Sequence, residues 1–165
     1  MKTSLSTIEL FGDDFTFSIA HFTLFSATSR ERLHGHNYHA HVTIVAEMTE
    51  LGITFDYEVF KAKILAVCKQ LDLYLLLPQY SPVLKIVDQE PYYYVYFDQD
   101  EMHFLKKDVK LMPIRNITIE ELSEWFLKAL LGDHQECIKT FRIQGLTVKI
   151  SNGAGRYAAA SWYSV

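Results

Sequence analysis

Histidine is the residue type whose spacing points most directly to chemistry. Four of the seven histidines lie between His34 and His41, and His34 and His36 are separated only by Gly35. At the start of a β-strand, residues two apart point to the same side, so both imidazoles could reach one ion. His21 lies on the apolar face of a preceding predicted strand and would supply a third nitrogen if the two strands pair. Three neutral imidazoles with an open fourth position form a zinc site of the catalytic type, whereas carboxylates alone suit magnesium or calcium.

The same histidines also have an ordinary structural interpretation. A single histidine on an apolar face is usually a hydrogen-bonded core residue, and His21 taken alone would be one. The pair formed by His34 and His36 fits either interpretation when the residues are considered by themselves. His39 and His41 point the other way by strand parity, so we interpret them as residues that support the site from behind or lie on the sheet face.

The composition limits the class of protein. The chain has 165 residues, of which 49% are hydrophobic and 22% charged, as expected of one globular domain over residues 1–165. Its 16 basic and 20 acidic residues give a net charge of −4, which argues against a nucleic-acid partner. No apolar run is long enough for a membrane span, and the first residues do not have the layout of a secretory signal. The two cysteines form no disulfide framework, so we expect a cytoplasmic protein.

Alternating apolar residues predict the strands that would position the histidines. We predict strands at Phe15–Leu24, with Thr3–Leu10 as its partner across a turn at Gly12-Asp13-Asp14, and at His36–Met48, Leu146–Ser151 and Tyr157–Tyr163. Tyr92–Phe97 and Met102–Leu105 form a predicted hairpin. Leu71–Pro82 contains Pro78 and Pro82, which favour a loop.

Helical spacing predicts two helices, at Tyr57–Lys69 and from Thr118 to about Leu131, where Glu121 would complete a capping box. The order of elements favours an α+β fold with an antiparallel four-stranded sheet and two helices on one face. The other sheet face and the sheet edges would then need cover, so we expect a homo-oligomer.

Two segments are similar to a known family. Phe17-Ser18-Ile19-Ala20-His21 followed by His34-Gly35-His36-Asn37-Tyr38 resembles the 6-pyruvoyl-tetrahydropterin synthase / 6-carboxytetrahydropterin synthase family. Weaker matches follow at Gly52–Tyr57, Leu71-Asp72 and Thr118–Leu122. The resemblance covers nearly the whole chain except the region Pro91–Lys107, which looks like an inserted hairpin.

The resemblance implies a fold, a metal and an activity. The fold would be the tunnelling fold, in which trimeric rings of sheets form a barrel and stack into a hexamer. Zinc (Zn²⁺) would be held by His21, His34 and His36. The activity would be that of a zinc-dependent lyase acting on dihydroneopterin triphosphate or a related pterin side chain.

Departures from the family pattern bear on the catalytic groups. Most members place a cysteine four to six residues before His34, but that stretch here is Thr28-Ser29-Arg30. A subset of members uses a Glu-x-x-His-Gly-His pattern, and Glu31 fits it as a general base if burial brings its pKa towards neutrality. The alternative for Glu31 is a solvated loop carboxylate. Asp72 keeps the acid of the family's Leu-Asp-His element, either as a catalytic residue or as a helix-end residue, while leucine replaces the histidine at position 73.

Substrate binding is the least constrained by the sequence. The family anchors the pterin with a glutamate at a position that is Ile150 here, on the expected pocket wall. We retain Thr118, which is first of all a helix cap, and Glu120 as candidate substrate-binding residues. Two hypotheses therefore remain open: a lyase of the pterin synthase type, or a non-catalytic or differently specific zinc-binding homologue that binds another small molecule.

Overall fold

The computed structural model describes residues 4–132 and 135–164 of the chain. The strands in these ranges are β1 (Leu5–Leu10), β2 (Thr16–His21), β3 (His34–Glu47), β4 (Tyr74–Pro78), β5 (Lys85–Gln89), β6 (Tyr92–Phe97), β7 (Asp100–Leu105), β8 (Val109–Met112), β9 (Ile143–Ser151) and β10 (Ala158–Tyr163). The helices are α1 (Glu58–Leu71), α2 (Ile119–Gly132) and α3 (Gln135–Thr140), with a 3₁₀ turn at Lys106–Asp108.

Strand β3 organises the larger of two sheets. This sheet has the order β10-β9-β3-β2-β4-β8, and β1 also pairs with β3. The 14 residues of β3 are long enough to pair with two six-residue strands placed end to end. Accordingly, β2 covers the first half of β3 and β1 covers the second half, both antiparallel. The prediction that β1 pairs with β2 was therefore wrong, because the chain continues along one edge of β3 instead of reversing at Gly12-Asp13-Asp14.

The sheet is also wider than the four antiparallel strands expected. The predicted strands are present, but β4 pairs with β2 and β8 pairs with β4 in parallel, which makes a seven-stranded mixed sheet. Residues 74–78 read Tyr-Leu-Leu-Leu-Pro, a continuous apolar run typical of a parallel strand buried on both faces. The strand ends at Pro78, so proline limits the length of this strand but does not prevent it. The prediction of a loop over Leu71–Pro82 was therefore wrong for the residues that form β4.

Both predicted helices are confirmed, and α1 and α2 pack on one face of the large sheet. Between them and the sheet lies the main core, to which β2 contributes its odd positions and β3 its even ones, as predicted from parity. At the start of α2, the Thr118 hydroxyl accepts the Glu121 N–H at 3.3 Å. The Glu121 carboxylate instead binds Arg115, so only half of the predicted capping box forms.

A second, three-stranded sheet has the order β5-β6-β7 and contains the predicted hairpin. Its inner face forms a separate apolar cluster with β4 and β8, which includes Phe22, Leu75, Leu77, Val95 and Phe97. Alternate leucines of β4 thus enter the two cores. Within the described ranges, no helix is long and apolar enough to cross a membrane.

The burial of β4 makes a testable prediction. Leu76 is 0% exposed and packs in the main core under the helices, so Leu76→Ala should lower the free energy of unfolding by about 2–5 kcal/mol. Leu51→Ala, at a loop position that is 86% exposed, should change it by no more than about 0.5 kcal/mol. Urea denaturation of both variants measures the difference, and equal effects would contradict the placement of β4 between two cores.

Candidate metal centre and active site

Strand pairing brings three histidines together at one end of the main core. In the antiparallel register of β2 and β3, His21 lies opposite His34, and Ile19 lies opposite His36. Since paired residues share a sheet face, all three imidazoles lie on the same face. The ring centroids are 4.8 Å apart for His21 and His34, and 4.7 Å apart for His34 and His36. The sequence prediction that these residues form one cluster is confirmed.

Backbone carbonyls fix which nitrogen of two rings is free. The His21 Nδ1–H donates to the Ile117 carbonyl at 3.1 Å, and the His34 Nδ1–H donates to the Arg32 carbonyl at 2.7 Å. A carbonyl oxygen can only accept, so Nε2 of both rings keeps its lone pair. This is the arrangement in which a hydrogen bond on one ring nitrogen orients the other towards a metal.

The donor set fits a small divalent cation. Nε2 of His34 lies 2.9 Å from Nε2 of His36, and one ligand atom from each of the three histidines lies within 4.8 Å of the others. Nitrogens bound tetrahedrally to zinc at about 2.0–2.1 Å are separated by about 3.4 Å, which these rings reach by small rotations. The separation of the two Nε2 atoms is that of a hydrogen bond, in which one proton lies where a cation would replace it. The cluster could therefore hold a metal ion.

Burial favours the neutral, metal-binding form of His21. The side chain is 3% exposed. Burial, reinforced by the neighbouring His34, lowers the pKa of His21 to about 4, against a weaker raising effect of the hydrogen bond to Ile117. The pKa of His36 is also lowered, first by burial and then by His34. Both rings are neutral at neutral pH, as ligands must be.

The low pKa of His21 predicts an acid-sensitive metal-free protein. Its folded pKa of about 4 lies below the ordinary value of 6.5, so the unfolded chain binds the proton more readily and stability falls as the pH drops from 6.5 to about 4. The contribution of His21 is at most about 3 kcal/mol. Urea unfolding of chelator-treated protein across this range should show it. His21→Gln should make the free energy of unfolding less dependent on pH in this range. His103→Gln, which changes an exposed residue of β7, should leave the pH dependence as it is in the unaltered protein.

Glu31 is the carboxylate next to the histidines. Its Oε2 accepts the Thr23 backbone N–H at 3.0 Å and lies 3.9 Å from Nε2 of His34. Burial acts to raise the pKa of Glu31, but hydrogen bonds from Thr23 and the nearby His34 and His21 bring the pKa below its ordinary value. The condition that burial brings the pKa of Glu31 towards neutrality is therefore not met. Glu31 is an ionised carboxylate that can accept a proton, although the lowered pKa makes it a weaker base than an ordinary glutamate.

Comparison with known proteins identifies the family of this fold and site. The model of the 6-pyruvoyl tetrahydropterin synthase family matches residues 12–159. This chain belongs to that family. The resemblance seen in the sequence is thus confirmed, and so are the α+β class and the tunnelling fold of the single chain, whereas its assembly into rings stays a prediction.

Individual members of the family resemble the chain over nearly its full length. The 6-pyruvoyl tetrahydropterin synthase of Plasmodium vivax is 29% identical, with a TM-score of 0.93 over 98% of this chain and 99% of that one. A variant of the Plasmodium vivax protein, in which a glutamate described as a catalytic residue is replaced by alanine, is 28% identical with the same TM-score and coverage. A Methanocaldococcus jannaschii protein assigned provisionally as 6-carboxy-5,6,7,8-tetrahydropterin synthase is 26% identical over 89% of this chain and 90% of its own.

Asp72 and Leu73 lie where the sequence resemblance places the family's Leu-Asp-His element. Asp72 follows α1, and its Oδ1 accepts the Ser18 N–H at 2.7 Å, so it joins the end of α1 to β2. Leu73, at the family's histidine position, is 82% exposed and has a left-handed backbone with φ of 64°. The side chain of Asp72 is thus engaged by β2, whereas that of Glu31 reaches the histidines.

The candidate substrate-binding residues lie at the start of α2. Thr118 follows Ile117, whose carbonyl holds His21, and its hydroxyl caps the helix. Glu120 is exposed and lines a groove with Arg115 and Trp125. Thr118 is therefore the chain neighbour of the residue whose carbonyl binds His21, and Glu120 lies in a separate groove.

Ile150 does not lie on a pocket wall. It is 0% exposed, pairs with Ala40, and belongs to the main core, because it shares a strand face with Leu146 and Val148. The expectation that it lines the pocket was wrong. Two residues beyond it, Asn152 makes a side-chain hydrogen bond to the Tyr38 hydroxyl, and Asn152 Oδ1 is buried without a partner.

Tyr38 is a site residue that the sequence interpretation missed. Its hydroxyl lies 3.1 Å from Nε2 of His21, and burial raises the pKa of Tyr38 to about 12, so the phenol is protonated and donates. Strand parity was the available signal, since Tyr38 shares the face of His34 and His36. Parity predicted only that Tyr38 is a core residue. Its ring does stack on that of Phe17, with the ring centroids 5.4 Å apart.

Proposed function

We propose that this chain is a zinc-dependent lyase of the pterin synthase type, which acts on the side chain of dihydroneopterin triphosphate or a related pterin. The observation that carries the proposal is the ionised carboxylate of Glu31, 3.9 Å from Nε2 of His34 in a three-histidine cluster. The Plasmodium vivax relative, in which a glutamate is described as a catalytic residue, supports a glutamate in this role. Cleavage of the side chain is the outcome we favour over formation of a pyruvoyl group.

His21, His34 and His36 would hold the zinc through their facing nitrogens. Bound zinc supplies Lewis-acid chemistry that lowers the pKa of a nearby substrate hydroxyl. Glu31 accepts the proton that leaves the substrate, and the N–H of Thr23 holds its Oε2 in place at 3.0 Å. The Tyr38 hydroxyl, 3.1 Å from Nε2 of His21, would give up this hydrogen bond to leave the lone pair for the zinc.

The remaining assignments belong to the same proposal. Asp72 would assist proton transfer, and Thr118 and Glu120 would contact the substrate. We also propose a trimer or hexamer, since β8 and β10 end the large sheet and have one edge without a strand partner within the described residues. The cytoplasm would be the compartment of this activity.

Incubation of the zinc-loaded protein with dihydroneopterin triphosphate tests the proposal. We expect a pterin with a shortened side chain, detected by chromatography of the oxidised products. Zinc content is measured on the same sample, so that loss of metal is not mistaken for lack of activity. A fully loaded protein that leaves the substrate unchanged would overturn the proposed reaction.

Two observations favour a second candidate function, namely binding of another small molecule without this reaction. Leucine stands at position 73, where the resemblance places the family's histidine, and no carboxylate side chain follows Glu136 in the sequence that could anchor a pterin from the last two strands. Calorimetry with zinc-loaded protein and a pterin separates the two functions. Tight binding with turnover supports the lyase, and absence of both supports a differently specific homologue.

A further inference from the structure

Arg30 precedes Glu31, but its side chain extends away from the histidines, towards the three-stranded sheet. It is 20% exposed, although it carries a charge. Its guanidinium carbon lies 5.2 Å from the centre of the Phe22 ring and 5.8 Å from the centre of the Phe97 ring. Both rings belong to the apolar cluster between the two sheets. The arginine is therefore held against two aromatic faces, an arrangement that stabilises a cation.

The guanidinium joins the loop between β2 and β3 to the turn between β6 and β7. One terminal nitrogen, Nη2, donates to Oδ2 of Asp100 at 2.8 Å, and Nη1 donates to the carbonyl of Glu31 at 3.0 Å. Asp100 is the first residue of β7. A planar guanidinium can make both bonds at once because its donors lie in a fixed fork, which a lysine lacks.

Residues 30–32 each fix a different part of the candidate site. Arg30 holds the carbonyl of Glu31, and the Glu31 N–H donates to the Thr23 carbonyl at 2.8 Å. The Thr23 N–H in return donates to the Glu31 carboxylate at 3.0 Å. The carbonyl of Arg32 accepts from Nδ1 of His34 at 2.7 Å. A shift of the backbone at Glu31 would therefore move both the carboxylate and a histidine.

We propose that Arg30 is a positioning residue for Glu31, and that the three-stranded sheet supports it through Asp100. The effect on reaction rate rests on the proposed function, whereas the effect on the position of the carboxylate does not. The predicted insertion, which contains β6 and β7, thereby acquires a role in the site. Rates fall by about 10²-fold when a reacting group is misplaced by about 1 Å, so the link is expected to matter for turnover.

The test compares Arg30→Met and Asp100→Ala with Lys106→Met. Lys106 pairs with Asp88 and Glu90 inside the small sheet and makes no ion pair to the loop, so it is the matched control. We expect the first two variants to lose hydrogen-exchange protection at the Thr23 amide by about 10-fold or more, with zinc content unchanged. In an active wild-type protein, kcat should fall by about 10–100-fold while KM stays within about two-fold.

Each outcome decides the proposal. Wild-type protection of the Thr23 amide in Arg30→Met would overturn it, and so would an unchanged kcat when the wild-type protein is active. Lost protection in a protein whose wild type has no turnover supports the positioning role and counts against the proposed reaction alone. If Arg30→Met does not fold, Arg30→Lys serves instead. It keeps the charge, loses one of the two bonds, and should show the same loss of protection to a smaller degree.

Discussion

Replacing Glu31 by glutamine should reduce turnover of dihydroneopterin triphosphate by about 10²–10⁴-fold, since this is the usual contribution of a positioned proton acceptor. Glutamine has the same size and still accepts the Thr23 N–H, which now lies 3.0 Å from Oε2 of Glu31. It cannot take up a proton at neutral pH. The loss therefore falls on the chemical step, and single-turnover rates of zinc-loaded protein measure it directly.

Two companion variants separate the proton acceptor from a general charge effect. Glu58→Gln removes a carboxylate from α1 whose side chain is 64% exposed, and should leave the rate unchanged. Glu31→Asp keeps the acid but shortens its reach, so an intermediate rate is expected. A glutamine variant that turns over substrate at the wild-type rate with full zinc content would remove Glu31 from the reaction.

Local patterns were sufficient to predict the histidine cluster. His34 and His36 share a strand face because they are two residues apart, and His21 shares the face of Phe17 and Ile19 for the same reason. Only one non-local assumption was needed, namely that β2 and β3 pair antiparallel. Adjacent strands in sequence often pair, and here the register places His21 directly opposite His34.

Features that depend on distant contacts could not be predicted in the same way. The burial of β4 results from packing on both of its faces by α1, α2 and the three-stranded sheet, and no periodicity inside five residues encodes it. The pairing of β1 depends on the length of β3 rather than on the turn that follows β1. The direction of the pKa change at Glu31 depends on donors from Thr23, which the fold of the loop brings to the carboxylate.

Removing one imidazole should abolish both metal retention and turnover. In His34→Ala, one of three nitrogens disappears from a cluster whose ligand atoms lie within 4.8 Å of one another. Loss of a residue that merely supports a ligand weakens metal binding by about 10–100-fold, and loss of the ligand itself should exceed this. Elemental analysis of native protein should find zinc at one per chain in the wild type and little in the variant.

A matched histidine elsewhere shows whether the effect belongs to the site. His103 lies on β7, with its side chain 48% exposed and hydrogen-bonded to Glu101, and His103→Ala should retain zinc and activity. His34 is itself 36% exposed, so its removal should cost little folding stability and the variant can be compared as a folded protein. Chelation of the wild type should reproduce the inactive state, and added zinc should restore turnover only where all three imidazoles remain. Full zinc content in His34→Ala would show that the cation is bound elsewhere, and the lyase chemistry proposed for this cluster would then have no metal to support it.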